Sequence, residues 1–217
     1  MDGRGSEMLE IINLEKTYDQ KKILDGFHLK LDSNGIIFFL GKNGAGKTTF
    51  FNCIMGFENY TGDIIKPLRI AAVFDESNVY THLNGYDNIK LLVRRALKKE
   101  ESLVLLEYID DSVLKRKVKT YSLGQKKILS ILIAIFTQPE MLILDEVSNG
   151  LDYETAKQVK NLLLSYKKEM LILVCGHQFD FYNRILDEVF VIHHTSLTHV
   201  DINEFTDLES VYEKYVG

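Results

Sequence analysis

The residues best equipped for chemistry are Gly41-Lys42-Asn43-Gly44-Ala45-Gly46-Lys47-Thr48. Their spacing is G-x-x-x-x-G-K-T, the form of a phosphate-binding loop. Glycines at these intervals let successive backbone N–H groups turn inward around anionic oxygens. Lys47 is then set to reach β- and γ-phosphates, and the Thr48 hydroxyl to hold Mg2+. Such a loop needs a strand before it and a helix after it. Residues 36–40 are an unbroken apolar run, suited to a strand covered on both faces. Residues 47–55 place Phe50, Phe51, Ile54 and Met55 at helical spacing.

A second group of acids stands further along. Residues 141–144 are apolar and end in Asp145-Glu146. Ligands of open α/β sheets sit outside the carboxyl ends of strands. There Asp145 would hold Mg2+ and Glu146 would orient or deprotonate an attacking water. Residues 171–175 form a comparable run ending in Gly176-His177. His177 reads either as a loop histidine or as a donor to a γ-phosphate oxygen. Ser122 and Gln125 fit a capping box, S-x-x-Q. With Gly124 beside them, the same helix start also suits an anion. Tyr18, in the first connection, reads as a turn tyrosine or as a platform for a base. Asp75-Glu76 closes another apolar run, as a solvated pair or as metal and water ligands.

These groups require elements to carry them. Residues 9–14, 23–31 and 36–40 read as strands, and their short connections point to antiparallel pairing ahead of the loop. Residues 63–66 and 70–74 are further strands. From 84 to about 119 the pattern turns helical, with one stripe at Ile89, Leu92, Val93 and Leu97 and another at Leu103, Leu106, Ile109 and Val113. An apolar helix follows to about 137 and Pro139 stops it. Asp152 is expected to cap a helix to about 168. Residues 179–186 read as a short helix, 189–192 as a strand and 207–215 as a closing helix.

Composition sets the bounds. The 217 residues suffice for one domain, and 46% hydrophobic with 26% charged residues is ordinary for a globular chain. The net charge of −5 provides no global basic field, so no nucleic-acid partner is expected. The longest apolar run, 128–136, is too short for a bilayer span of about 20 residues. Cys53 and Cys175 lack metal-site spacing and read as buried thiols of a reducing cytoplasm. Residues 1–7 look like an expression scar before Met8.

Taken together, these motifs resemble the nucleotide-binding subunit of ABC transporters, from about residue 8 to 192. Residues 41–48 look like Walker A, 142–146 like Walker B with its catalytic glutamate, and 121–125 like the signature motif. Residues 149–152 look like the D-loop, His177 like the switch histidine, and Tyr18 sits where the family keeps its adenine-stacking aromatic. The resemblance implies an α/β P-loop fold. It has a mostly parallel core sheet, an antiparallel β-subdomain, and a helical subdomain at 84–138 inserted in a single domain spanning 1–217.

It further implies ATP and Mg2+ as ligands. The nucleotide would be bound by Tyr18, Gly41, Asn43, Gly44, Ala45, Gly46, Lys47, Thr48 and Thr49, with Ser122, Gly124 and Gln125 acting from a second subunit. Catalysis would fall to Lys47, Glu146 and His177, and metal binding to Thr48, Asp145 and Asp75. The implied partners are a second ATPase subunit and a membrane permease on the inner face of the cell membrane. The helical insert and the Asp75 region would touch that permease.

Three departures stand out: Leu123 replaces the first signature glycine, Asp75 stands at the Q-loop glutamine, and Val147 stands at the usual proline. The pattern Y-S-L-G is similar to the branch exporting, or giving immunity to, peptide antibiotics and lantibiotics. Asp75, an acceptor-only side chain near phosphates, leaves room for a slowly hydrolysing, ATP-gated binding module. A soluble ABC ATPase without a permease is the other alternative.

Overall fold

The computed structural model describes residues 8–75, 78–201, 203 and 206–217. The expectations for residues 1–7 and for Glu76 lie outside the described residues. The chain opens with β1 (Leu9–Tyr18), β2 (Lys21–Leu31) and β3 (Gly35–Leu40). β1 pairs antiparallel with β2 and with β4 (Thr61–Ile65), giving a three-stranded sheet β2-β1-β4. A second sheet runs β5-β6-β7-β3-β8-β9, with β5 (Ile70–Val73), β6 (Met141–Asp145), β7 (Leu171–Cys175), β8 (Glu188–His193) and β9 (Ser196–Val200). Its pairings are parallel except β8 with β9.

The expected antiparallel pairing therefore holds for β1 and β2 but not for β3, which lies between β7 and β8. Every residue of β3 is buried, and a strand without a solvent face belongs in a sheet covered on both sides. Strand alternation divides the core accordingly. Ile36, Phe38, Leu40, Leu142, Leu144, Ile172 and Val174 join the core under the helices. Ile37, Phe39, Met141, Ile143, Leu171, Leu173 and Cys175 join the core shared with the small sheet and α1 (Lys47–Met55).

Between β5 and β6, which are direct parallel neighbours, the chain inserts α2 (Gly85–Val93), α3 (Lys99–Tyr108), α4 (Asp111–Leu114) and α5 (Leu123–Phe136). The second apolar stripe is corrected in part, since Ile109 and Val113 are buried as expected but its two leucines are not. Leu103 and Leu106 are 61% and 47% exposed, whereas Leu105 is buried. The buried face is rotated so that Leu105 and Ile109, four residues apart, face inward. After β6 come α6 (Tyr153–Tyr166), α7 (Phe179–Tyr182) and α8 (Leu208–Tyr215). α7 is shorter than expected because Asn183 already leaves the helical region, with ψ at 136°. β9 was not expected from the sequence. Its two-residue hairpin turn, His194-Thr195, has φ of 46° and 65° without the Asn-Gly or Gly-Gly pair that normally signals such a turn.

Tyr18 ends β1 and is not in a turn. Among the described residues no helix is long and apolar enough to cross a membrane.

Candidate functional site

The sheet order brings three strand ends together. β7 lies between β6 and β3, with Asp145 in register with Cys175 and Val174 with Phe38. The loop 41–48, the Asp145-Glu146 pair and Gly176-His177 thus leave adjacent carboxyl ends, where open α/β sheets hold ligands.

The loop turns directly into α1. Gly46 precedes the helix at φ 105°, and a Cβ there would meet Ile23 Cγ2 at 2.9 Å and Leu24 Cδ2 at 3.1 Å. Any side chain would be both strained and crowded, which is why glycine stands there. Gly41 is buried, while Asn43, Gly44 and Thr48 are exposed and Ala45 and Thr49 half-buried. The Lys47 ammonium, itself buried, donates to the carbonyls of Gly41 (2.7 Å) and Lys42 (3.1 Å). A cavity of about 190 Å³ is lined by Asn43, Gly44, Gly46, Lys47, Thr48 and Glu146 among others. Larger grooves lie elsewhere among the described residues; this one is formed by the loop 41–48 together with Glu146.

Thr48 Oγ1 donates to Asp145 Oδ2 at 2.8 Å, so two of the three residues expected to hold Mg2+ already meet. The other carboxylate oxygen, Oδ1, accepts from the Cys175 thiol at 2.7 Å. Burial, and then the charge of Asp145, push the Cys175 thiol well up, so it stays a protonated donor that fixes Asp145. Asp145, Glu146 and Cys175 form a group that could receive a cation. Hydroxyl and carboxylate oxygens suit a hard ion such as Mg2+. Asp75 is not in that group. Its carboxylate is bound to Lys127, at 2.9 Å.

Glu146 has a left-handed φ of 58°, uncommon for a residue with a side chain and typical of functional sites. Its amide donates to Cys175 O at 3.1 Å, which re-aims the side chain beyond the strand end. Oε1 lies 3.1 Å from His177 Nε2, and Oε2 is buried with no hydrogen-bond partner among the described residues. A buried carboxylate oxygen left open in this way is ready to accept a proton or a water O–H. The backbone just before His177 packs closely on Tyr182. A Cβ on Gly176 would meet the Tyr182 ring at 2.7 Å, and the Tyr182 hydroxyl donates to Cys175 O at 3.0 Å.

Tyr18 is 40% exposed. Its hydroxyl bonds to Glu58, which raises its pKa, and also meets Thr49 at the start of α1. Lys16 sits 4.6 Å from the ring centroid and bonds Glu58 at 2.9 Å. The ring thus lies near Thr49 at the start of α1 and is partly exposed. Neither Lys16 nor Glu58 was expected from the sequence, since both lie on ordinary charged stretches.

Ser122, Gly124 and Gln125 open α5. Ser122 Oγ accepts from Gln125 N at 3.1 Å and Gln125 Oε1 accepts from Ser122 N at 3.0 Å, so the capping box is formed. None of these bonds reaches the loop 41–48 of the same chain. A Cβ on Gly124 would meet Thr155 at 2.7 Å, and one on Gly150 would meet Leu123 Cδ2 at 2.7 Å, so this helix start packs against the first turn of α6 and the loop before it. Asp152 caps α6, accepting from Thr155 N at 2.8 Å.

Comparison with known proteins agrees with this geometry. The ABC transporter family matches residues 24–149. A lantibiotic transport ATP-binding protein of Streptococcus pyogenes, SrtF, is 33% identical over 183 residues, covering 78% of this chain and 80% of the relative. A bacitracin transport ATP-binding protein of Enterococcus faecalis, BcrA, is 29% identical over 96% of this chain and 74% of the relative. Among solved structures, an ATP-binding subunit of an ABC transporter superposes with a TM-score of 0.83 at 22% identity, covering 95% of this chain and 98% of that one. The cbiO1 protein of Clostridium perfringens, part of the transporter complex cbiONQ, gives 0.80 at 22% identity over 95% and 94%.

Proposed function

Because the chain belongs to the ABC transporter family as an ATP-binding subunit, and is an ATPase, we propose that it energises a separate membrane permease exporting a peptide antibiotic. The likeness to lantibiotic and bacitracin transport proteins supports that cargo class. On this reading the subunit works on the inner face of the cell membrane, bound to its permease through the helical subdomain of residues 84–138.

The observation that carries the site assignment is the meeting of Thr48 with Asp145 (2.8 Å) and of Glu146 with His177 (3.1 Å) above one phosphate loop. The amides of residues 41–48 and Lys47 would bind the β- and γ-phosphates, and Tyr18 would stack on the base. Thr48 and Asp145 would hold Mg2+, which supplies neutralisation of charge between the phosphates. Glu146 would take the proton of the attacking water through its open Oε2, and His177 would orient the carboxylate and donate to the γ-phosphate. Ser122, Gly124 and Gln125 would complete the site of a second subunit. In that pairing the helix start of α5 faces the phosphates of the other chain.

The test is turnover by the purified chain and by Lys47→Ala. We expect loss of at least about 100-fold in the variant, since a preorganised charge on the transferred phosphate is worth that much. An unchanged rate removes the phosphate-loop assignment. For the cargo, co-expression with the cognate permease should raise a sensitive host's tolerance to a lantibiotic, and Lys47→Ala should abolish the gain. Equal tolerance with and without the active subunit removes the export reading.

A further inference from the structure

Lys127 lies one turn into α5 and is 1% exposed, a place where an ammonium must be fully paired. It is. Nζ donates to Asp75 Oδ1 at 2.9 Å and Asn149 O at 2.8 Å, with a longer approach to Glu146 O at 3.4 Å. The three acceptors match the three N–H donors of the ammonium. They come from two segments far apart in sequence: the stretch after β5, and the turn of residues 146–149 between β6 and α6. Asp75 is itself 58% exposed at the side chain, so the pair runs from the molecular surface to the buried turn beside the site.

We propose that Lys127 is a positioning residue for ATP hydrolysis. It binds Asp75 to the Glu146–Asn149 turn and so sets the backbone from which Glu146 is aimed. The inference rests on the role of Glu146 proposed above. Three points carry it. Glu146 holds its φ of 58° at a cost, and such a conformation persists only where its surroundings fix it. The Asn149 and Glu146 carbonyls are drawn to one cation, which clamps both ends of the turn. The charge of Asp75 is neutralised by the same cation. Its carboxylate therefore serves as a counter-ion to Lys127 and not as a ligand of Mg2+. Movement of the exposed Asp75 segment would reach Glu146 through this single side chain.

The experiment is a double-mutant cycle in the intact chain: Asp75→Asn, Lys127→Met and the double variant, each measured for kcat, KM for ATP and half-saturating Mg2+. Each single change should lower kcat roughly 5- to 10-fold with KM within about twofold, and the double variant should be no worse than the poorer single, as for residues acting as one unit. Half-saturating Mg2+ should not move. Multiplicative losses in the double variant, unchanged kcat in the singles, or a raised half-saturating Mg2+ in Asp75→Asn would each overturn the proposal. Should Lys127→Met fail to fold, Asp75→Asn decides alone by the same kcat and Mg2+ readings. Glu146→Gln in the same series separates the two readings. If it turns over like the parent, the role of Glu146 fails, whatever the cycle shows of the 75–127 pair.

Discussion

At the scale of single residues, the site is built by assigning each polar atom a partner and leaving a few open. Asp145 has both oxygens taken, by Thr48 and by Cys175, and so is held still. Glu146 keeps Oε2 open. Tyr18 keeps its ring partly exposed, with Lys16 4.6 Å from its centroid. Stacking of a base on an aromatic ring is worth about 1–3 kcal/mol, so Tyr18→Ala should raise KM for ATP at least about fivefold with little change in kcat. Tyr18→Phe should stay near the parent, because the ring remains and only the anchor to Glu58 is lost. Equal KM values for the parent and the alanine variant would remove Tyr18 from the nucleotide site. The motif residues were legible because they combine rare types at fixed spacing. Lys127, Cys175, Lys16 and Glu58 were not. A lysine in a helix or a cysteine in a strand carries no signal of its own until the fold brings it a partner.

At the scale of elements, α5 serves two purposes. Its capping box satisfies the first turn, and its apolar body fills the core from Ile128 to Phe136. The sequence left open whether Ser122 caps the helix or binds an anion. The structure shows the cap formed, and a cap is also what exposes the remaining amides toward a ligand. Ser122→Ala should therefore cost about 1 kcal/mol, a shift of roughly 2–4 °C in a thermal melt for a chain of this size. It should also lower turnover by more than that stability loss explains. A melt shift with full activity would leave Ser122 as a cap alone. Element boundaries failed in two ways. α3 turns a different face inward than Leu103 and Leu106 implied, because exposed leucines mimic a core stripe. β9 was missed because His194-Thr195 makes a tight turn with residues that rarely do so.

At the scale of the whole molecule, one chain carries two helix starts suited to phosphate, α1 and α5, and only α1 opens from the loop 41–48. The unused start is intelligible if two copies face one another and each completes the other's site. Glu146→Gln should then accumulate as a dimer in ATP, seen as earlier elution in size-exclusion chromatography and reversed when nucleotide is removed. A variant that binds ATP yet stays at monomer size would exclude this arrangement. By itself the sequence determined the phosphate loop, the two acids after an apolar run, the strand-loop-helix that presents them, and the α/β class. All of these are local, depending on residue type, spacing and the period of burial along one segment. Only the tertiary structure decided that β3 sits inside the parallel sheet, that Asp75 meets Lys127, that Cys175 steadies Asp145, and that Glu146 adopts a left-handed backbone. Those facts depend on segments dozens of residues apart being brought within hydrogen-bonding distance by sheet order. Hydrophobic periodicity specifies which face of a strand is covered, but not which strand lies beside it.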